Sequence, residues 1–252
     1  MKVVESVKNP KVKQWKKLLT RKERDKTGMF IVEGFHLVEE ALKEQGQALE
    51  IMMSEDITLP TNWNVDNISI TRLSREVAKA ISDTENEQGI FAVCVQQQAE
   101  DKFEGTSFLL LDSVQDPGNL GTMIRTADAA GMDAVILGDG TVDPYNPKVI
   151  RSAQGSHFHL PIYRQNLNDT LTTLQQQGVK VYGTALENGV DYSTVTINEP
   201  FAIVVGNEGS GITKELLART DQNLYIPIHG KSESLNVAVA AGILMYYGRI
   251  GK

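Results

Sequence analysis

The sequence predicts an α/β protein with two domains, and three observations carry this prediction. After residue 106, strand-like apolar runs alternate with helical stretches, which is typical of a parallel sheet covered by helices. Before residue 95 the order of strands and helices is mixed. The stretch "QQQAEDKFEGT" (96–106) has no apolar periodicity and indicates a linker. We therefore predict an N-terminal domain over 1–95, a linker over 96–106 and a larger domain over 107–252.

The first domain begins with a basic segment whose apolar residues have helical spacing, so one helix is expected over about 9–25. The strand "MFIVEG" and the helix "FHLVEEALKEQG" follow, and Gly46 ends that helix. Short strands near "EIMMS" and "ISI", a helix over 74–81 and the strand "GIFAVCV" complete this domain.

The second domain has a more regular pattern. Five apolar runs predict its strands: "FLLLDSV", "AVILG", "VKVYGTAL", "FAIVVG" and "LYIPI". Sheets of this kind bind ligands at the loops beyond the carboxyl ends of their strands. The unusual residues of this sequence gather in such loops.

The charge of the chain is distributed unevenly. The net charge is −7, yet residues 1–26 contain ten Lys or Arg and three Asp or Glu, a local charge of +7 that leaves −14 on the rest. A basic end on an acidic body is one common way to hold a nucleic-acid backbone. A solvated helix with an apolar stripe explains the same residues equally well.

The single cysteine, Cys94, cannot form an intrachain disulfide, which suits a reducing compartment. The start of the chain has no apolar stretch after its charges, and no run approaches the roughly 20 apolar residues of a membrane span. We expect a cytoplasmic protein.

The sequence does not match either of two common nucleotide-binding motifs. The triplet Gly230-Lys231-Ser232 resembles the end of a P-loop, but Tyr225 stands where that motif requires a glycine. The glycines of "VVGNEGSGI" lack dinucleotide spacing, so an ATP- or NAD-dependent enzyme is disfavoured. No metal-ligand set is expected; His157 and His159, at strand spacing, are interpreted as structural or RNA-contacting.

The first of three informative loops leads into a helix in "DSVQDPGNLGTMIRTADAAG" (112–131). Asn119 is expected to cap this helix and Gly131 to close it. The apolar stripe of the helix leaves Arg125 on its flank. A purely structural explanation of Arg125 is an ion pair with Asp128, three residues on.

The second loop, in "FAIVVGNEGSGIT" (201–213), has three glycines within six positions, Gly206, Gly209 and Gly211, with Glu208 among them. So many glycines permit a close backbone approach to a ligand.

The third loop, in "IPIHGKSESLNVAVAAGI", places Ser234 and Asn236 at a helix start, where one of them is expected to be a cap. Together they are also suited to position a ligand hydroxyl or phosphate. In "DPYNPKVIRSAQGS", Tyr145, Lys148 and Arg151 are interpreted as lining either an RNA path or a subunit interface.

Four segments in this order and spacing resemble the SpoU (TrmH) family of RNA ribose 2′-O-methyltransferases, in the SPOUT superfamily: "DPGNLGTMIRTADAAG", "NPKVIRSAQGS", "VVGNEGSGI" and "IPIHGKSESLNVAVAAGI". The N-terminal part, including "FIVEGFHLVEEAL", resembles the substrate-binding domain of many members. The resemblance implies a parallel-sheet SPOUT domain with a trefoil knot, which no periodicity predicts. It also implies a homodimer joined through that domain.

The resemblance further implies S-adenosylmethionine as cofactor, held largely by backbone groups. By motif its contacts fall on Gly206, Ile226, Leu235, Thr184 and Ala185. The functional polar residues are Asn119, Arg125, Glu208, Ser234 and Asn236. A guanidinium with a pKa above about 12 rarely gives up its proton. Arg125 is therefore expected to stabilise the ribose alkoxide or grip the adjacent phosphate.

Ribosomal RNA (23S) is the expected substrate, on family association. The alternatives are a tRNA ribose 2′-O-methyltransferase and a non-catalytic RNA- or ribosome-binding protein that retains the fold. The complete polar set favours an enzyme, because a binding module does not need it.

Overall fold

The protein is described from a computed structural model, in which residues 2–97 and 104–250 are described. The chain forms two compact units. Unit 1 comprises Met1–Gln97 and Tyr145–Phe158, and unit 2 comprises Gln98–Pro144 and His159–Lys252. Most of the predicted linker, 98–103, lies outside the described residues.

In chain order the elements are β1 (Lys2–Val4), α1 (Pro10–Lys17), α2 (Arg21–Thr27), β2 (Met29–Glu33), α3 (Phe35–Lys43), β3 (Ala48–Ser54), β4 (Ser69–Leu73), α4 (Arg75–Ile81), β5 (Ile90–Val95), β6 (Ser107–Leu111), α5 (Pro117–Ala129), β7 (Ala134–Leu137), α6 (Pro147–Ala153), β8 (Ile162–Arg164), α7 (Leu167–Gln176), β9 (Lys180–Thr184), β10 (Val190–Asp191), β11 (Phe201–Val205), α8 (Lys214–Leu217), β12 (Gln222–Tyr225) and α9 (Val237–Ile250).

Unit 1 is built on a mixed five-stranded sheet in the order β1-β4-β3-β5-β2. Helices α1 and α4 supply apolar side chains to the core on one face, and α3 does so on the other. Helix α6 also packs into this second core through Ile150. The predicted domain limits, 1–95 and 107–252, stay a prediction, and the packing adds that 145–158 belongs with unit 1.

The basic N-terminal segment forms two helices, so the prediction of one helix over 9–25 is wrong. Arg24 of α2 is only 2% exposed, and its Nη1 donates to the carbonyl oxygen of Leu18 at 2.9 Å, just after α1 ends. A buried guanidinium must find acceptors, and the free carbonyls at a helix end supply them. Apolar spacing alone does not reveal this break.

Unit 2 is built on a seven-stranded sheet in the order β10-β12-β9-β11-β6-β7-β8, and every pairing is parallel. Helices α7 and α8 cover one face, and α9 packs on the other face against β11 and α5. The α/β class and the parallel sheet are thus confirmed, with all five predicted strands.

Strands β8 and β10 were not predicted, because they have three and two residues and are only partly buried. The trefoil knot stays a prediction. Among the described residues, no helix is both long and apolar enough to cross a membrane.

Candidate active site

Four adjacent strands of unit 2 bring their carboxyl ends together. Strands β12, β9, β11 and β6 are neighbours in this order and all run parallel. Loops that follow parallel strands therefore meet at one edge of the sheet. The three loops predicted from the sequence follow β6, β11 and β12, so this edge is the candidate site.

A cavity of about 660 Å³ opens at this edge. Nine of the ten predicted site residues line it: Asn119, Thr184, Ala185, Gly206, Ile226, Glu208, Ser234, Leu235 and Asn236. Its apolar lining includes Leu186, Ile228 and Leu244, which were not predicted. Leu186 and Ile228 follow strand ends and Leu244 lies within α9, and an apolar residue in such a place has no functional signal of its own.

The helix cap of the first loop differs from the prediction. Asp116, not Asn119, caps α5: its Oδ1 accepts from the backbone N–H of Asn119 at 2.8 Å, and Pro117 occupies the first helical position. Proline fits there because that position needs no N–H donor. The Asn119 side chain is thereby available for other contacts.

Asn119 lies in the middle of a hydrogen-bonded chain that joins all three loops. Asn236 Nδ2 donates to Asn119 Oδ1 at 2.9 Å, and Asn119 Nδ2 donates to Glu208 Oε1 at 3.1 Å. Glu208 also accepts from the backbone N–H groups of Asp116 at 3.0 Å and Gln115 at 3.2 Å. Three residues that are far apart in sequence thus hold one another in place.

The charge of Glu208 determines the orientation of both amides in this chain. An ionised carboxylate can only accept hydrogen bonds, so Asn119 must turn its NH₂ group towards it. The oxygen of Asn119 then faces Asn236, which must offer its own NH₂ group. The oxygen of Asn236 caps α9, accepting from the N–H groups of Ala238 at 2.9 Å and Val239 at 3.3 Å. This confirms that one of the two polar residues of the third loop is a cap.

Glu208 is held in its ionised form. Partial burial raises the pKa of its carboxyl group, but hydrogen bonds from the Asn119 side chain and from backbone N–H groups outweigh this and lower the pKa below its ordinary value. Glu208 is therefore a weak proton acceptor at neutral pH. Its contacts make it a residue that positions Asn119.

The glycines of the second loop allow the loop to fold closely onto its own backbone. A Cβ atom at Gly206 would lie 2.1 Å from the carbonyl carbon of Gly211, and Gly211 has a φ of +70°. The loop closes on itself there, with Asn207 and Gly211 paired through their backbones at 2.9–3.0 Å. The sequence indicated a close approach of a ligand to these glycines; at Gly206, the backbone of the loop itself makes the close approach.

Asn207 was missed by the sequence analysis and connects the second loop to the first. Its Nδ2 donates to the carbonyl oxygen of Ser113 at 2.9 Å, while its Oδ1 accepts from the N–H groups of Gly209 and Ser210. Asparagine next to glycine commonly forms such turns. This signal was present in "VVGNEGSG".

Arg125 is the one predicted site residue that does not line the cavity. It is exposed, and its guanidinium makes no hydrogen bond or ion pair with any residue that the structure describes. The ion pair with Asp128 is absent, and the Asp128 carboxylate lies instead 3.2 Å from His159 Nδ1. Six positions along a helix turn Arg125 about 120° away from Asn119, so the two side chains point in different directions.

The other candidates that the sequence indicated make contacts within their own units. His157 is 3% exposed in a 3₁₀ turn of unit 1, so the prediction of strand spacing for His157 and His159 is wrong. Tyr145 packs on Phe30 with ring centroids 4.7 Å apart, and Arg151 pairs with Asp83 at 2.9 Å. All these contacts lie within unit 1.

Comparison with known proteins finds two matching family models. Residues 106–246 match the model of the SpoU rRNA methylase family, and residues 9–92 match the MRM3-like substrate binding domain. The chain is 54% identical, over 99% of its length and 100% of the relative, to the 23S rRNA (guanosine(2553)-2′-O)-methyltransferase RlmP of Bacillus subtilis.

Two further similarities concern ribosomal RNA and the cofactor. The chain is 34% identical, over 84% of its length and 93% of the relative, to the 23S rRNA (guanosine-2′-O-)-methyltransferase RlmB of Vibrio parahaemolyticus. An AdoMet-bound rRNA methyltransferase from Sinorhizobium meliloti superposes with a TM-score of 0.90 at 34% identity, covering 99% of this chain and 97% of that one. The chain therefore belongs to the SpoU rRNA methylase family of S-adenosylmethionine-dependent enzymes.

Proposed function

We propose that this protein transfers a methyl group from S-adenosylmethionine to the ribose 2′-hydroxyl of a guanosine in 23S ribosomal RNA. The observation that carries the proposal is the chain Asn236–Asn119–Glu208, which joins three loops beside one cavity. The choice of a 23S guanosine is supported by the name of the Bacillus subtilis relative, which is similar over the whole chain.

The cavity is suited to the cofactor. Its volume lies within the about 300–1,000 Å³ usual for small-molecule sites, and apolar side chains and loop backbone line most of it. We assign the contacts to the backbone of Gly206, Ile226 and Leu235, with Thr184 and Ala185 beside them. When bound, S-adenosylmethionine supplies the activated methyl group that the ribose oxygen accepts.

The amides of Asn119 and Asn236 are suited to orient the ribose. Each amide nitrogen carries two hydrogens, and the chain Asn236–Asn119–Glu208 uses one of each. The second hydrogen of each is left for a substrate oxygen. Ser234, which lines the same cavity, offers a hydroxyl beside them. Holding the reacting hydroxyl in one orientation accelerates transfer without any covalent step by the protein.

Arg125 stabilises negative charge on the substrate. A guanidinium does not act as a base at neutral pH, and Arg125 has no partner among the described residues. Its exposed side chain points away from Asn119, so it must turn towards the bound RNA to place its charge on the ribose oxygen that is losing its proton or on the neighbouring phosphate.

A homodimer is the proposed assembly, joined through the face of α9 that unit 2 leaves uncovered. Val239, Tyr246 and Ile250 are 51%, 47% and 75% exposed, and they follow one another at helical spacing. Light scattering at micromolar concentration should give twice the chain mass; the mass of a single chain would contradict the dimer. The cytoplasm, where ribosomal RNA is found, is the proposed location.

The test is a map of ribose methylation in 23S RNA from cells with and without the gene. One guanosine should lose its 2′-O-methyl group on deletion and regain it with the wild-type gene, but not with an Arg125→Ala gene. An unchanged map would refute the proposal, and a change in tRNA alone would move the substrate to tRNA.

A further inference from the structure

Unit 1 presents a set of lysines without counter-charges. This lysine face consists of Lys13, Lys16 and Lys17 on α1 with Lys22 and Lys26 on α2. All five are exposed, and none of their ammonium groups makes an ion pair or hydrogen bond within the part of the chain that the structure describes. Nearby, Lys11 is paired with Glu50 and Arg21 with Asp25.

The absence of partners on the lysine face contrasts with the composition of the chain. The protein carries a net charge of −7, so carboxylates are more abundant than lysines and arginines. Clustered like charges repel one another and weaken the fold slightly, unless an external anion compensates them. The face is therefore suited to a polyanion.

The two helices that carry these lysines also border a cavity. A cavity of about 410 Å³ opens between α1, α2 and the sheet. Trp15 and Leu18, both buried, are among its lining residues, and Leu49, 45% exposed, is at its rim. The size and apolar lining of this cavity are suited to a flat aromatic ligand.

The charged residues that line the cavity are Glu23, Glu50 and Lys11, so acidic groups outnumber basic ones there, unlike on the lysine face. Glu50 accepts hydrogen bonds from Lys11, Trp15 and Thr71 at 2.7–3.2 Å. The carboxylate of Glu23 also lines the cavity and has no partner among the described residues. Carboxylates repel phosphate but accept N–H groups from the edges of bases.

We propose that unit 1 holds single-stranded RNA on this surface, with phosphates on the lysine face and one unstacked base in the cavity. The inference rests on the proposed function, which makes RNA the substrate. A strand with an unstacked base supplies phosphates and a flat N–H-bearing ligand at adjacent positions, whereas a duplex keeps its bases stacked.

The first test neutralises the lysine face with Lys13→Gln, Lys16→Gln and Lys17→Gln together. The probe is a fluorescent single-stranded RNA of about 20 nucleotides, titrated at several salt concentrations. Each phosphate contact on a single strand contributes about 0.7 to the slope of log affinity against log salt, so the slope should fall by about 2. This corresponds to roughly 100-fold weaker binding at 0.1 M salt if the affinities converge at 1 M.

A matched control removes the same charge elsewhere, with Lys79→Gln, Lys180→Gln and Lys214→Gln together. These lysines are exposed and lie on three separate elements. Their loss should change the slope by less than half as much. Equal losses for the two triple variants, or no loss for the first, would overturn the phosphate part of the proposal.

The second test fills the cavity with Leu49→Trp, at a position exposed enough to tolerate a larger side chain. Affinity for the single strand should fall about tenfold, because base stacking contributes about 1–3 kcal/mol, while the salt slope and the affinity for a duplex stay unchanged. Val3→Trp, at an exposed apolar position of unit 1 outside the cavity lining, is the control. Wild-type affinity in Leu49→Trp would overturn the base part.

Two further measurements keep this proposal separable from the proposed function. Affinity for S-adenosylmethionine, measured on every variant, should stay at the wild-type value because unit 2 holds the cofactor. Methyl transfer by the wild type is measured in parallel. No methyl transfer, together with lysine-dependent RNA binding, would refute the enzyme and leave the RNA surface supported. Methyl transfer with RNA binding that does not depend on the lysines would support the enzyme and refute the RNA surface.

Discussion

The polar groups of the unit 2 site and those of the lysine face of unit 1 differ in their partners. Asn236, Asn119 and Glu208 are bonded to one another, whereas the lysines make no such contacts within the described residues. Polar groups that are bonded to one another can orient a bound substrate, whereas unpaired charges on a surface can bind a polyanion. Substitutions in the first should act on turnover, and substitutions in the second on RNA affinity and its salt dependence.

The largest effect is expected for Arg125→Ala. Loss of one group that stabilises developing charge typically costs about 10²–10³-fold in kcat. Arg125 does not line the cofactor cavity, so affinity for S-adenosylmethionine should be unchanged. Calorimetric titration and single-turnover transfer measure the two quantities on the same samples. An equal loss of both would show that Arg125 belongs to the cofactor site.

Gly206→Ala should disturb the cavity and not the reacting groups. The added methyl group would lie 2.1–2.3 Å from backbone atoms of Gly211 and Ile212, so the loop must open. Overpacking of this kind costs about 1–3 kcal/mol, which corresponds to a loss of roughly 5- to 150-fold in cofactor affinity. Gly209→Ala is the control, because its methyl group would meet only Asn207 Oδ1, at 3.6 Å. Similar losses for both variants would contradict this explanation of Gly206.

A smaller effect is expected for Glu208→Gln. The glutamine oxygen can still accept from Asn119 and Asp116, but its NH₂ group would face the N–H of Gln115. One lost hydrogen bond costs about 1 kcal/mol, so kcat should fall about fivefold. Glu208→Ala, which removes every acceptor, should cost more. A bell-shaped pH profile that loses its acidic limb in Glu208→Gln would instead identify Glu208 as a base.

Asp133 provides a structural carboxylate for comparison with Glu208. Burial raises its pKa, but hydrogen bonds from Thr106 and Ser107 and the charge of Arg249 outweigh this and lower it. A lowered pKa contributes stability above the unfolded-state pKa, and this is lost as pH falls through the folded-state value.

Asp133→Asn should therefore lower the melting temperature by a few degrees at pH 7, about 2–4 °C per 1 kcal/mol in a protein of this size. The difference from wild type should persist to pH 5 and shrink below about pH 4. Denaturation scans across pH measure it. A difference that grows in acid would reverse the assigned sign, and a lower kcat would place Asp133 in the site.

The sequence predicted the loops at the unit 2 site better than the hydrogen bonds between these loops. Strand-end glycines and polar residues indicated five of the nine cavity residues, because each loop has its own local signal, and the family resemblance alone supplied the other four, Thr184, Ala185, Ile226 and Leu235. The chain Asn236–Asn119–Glu208 depends on the strand order of the sheet, which no local pattern contains. The sequence also could not show that Asp116, and not Asn119, caps α5, because both residue types cap helices equally well.

Unit 1 was harder to predict. The buried guanidinium of Arg24 caps a carbonyl at the break between α1 and α2, and the periodicity of apolar residues does not reveal such a contact. The packing of 145–158 into unit 1 was likewise hidden, because Ile150 and Phe158 would suit either core. Charge alone indicated the basic surface, but not which lysines lack partners.

The most direct test of the account is transfer of labelled methyl from S-adenosylmethionine to 23S RNA taken from cells that lack the gene, followed by analysis of the labelled nucleoside. The account predicts that the wild type labels one site per molecule, that the product is 2′-O-methylguanosine, and that Arg125→Ala gives at most about one hundredth of the rate. Label on a base, or no label despite cofactor binding, would contradict it.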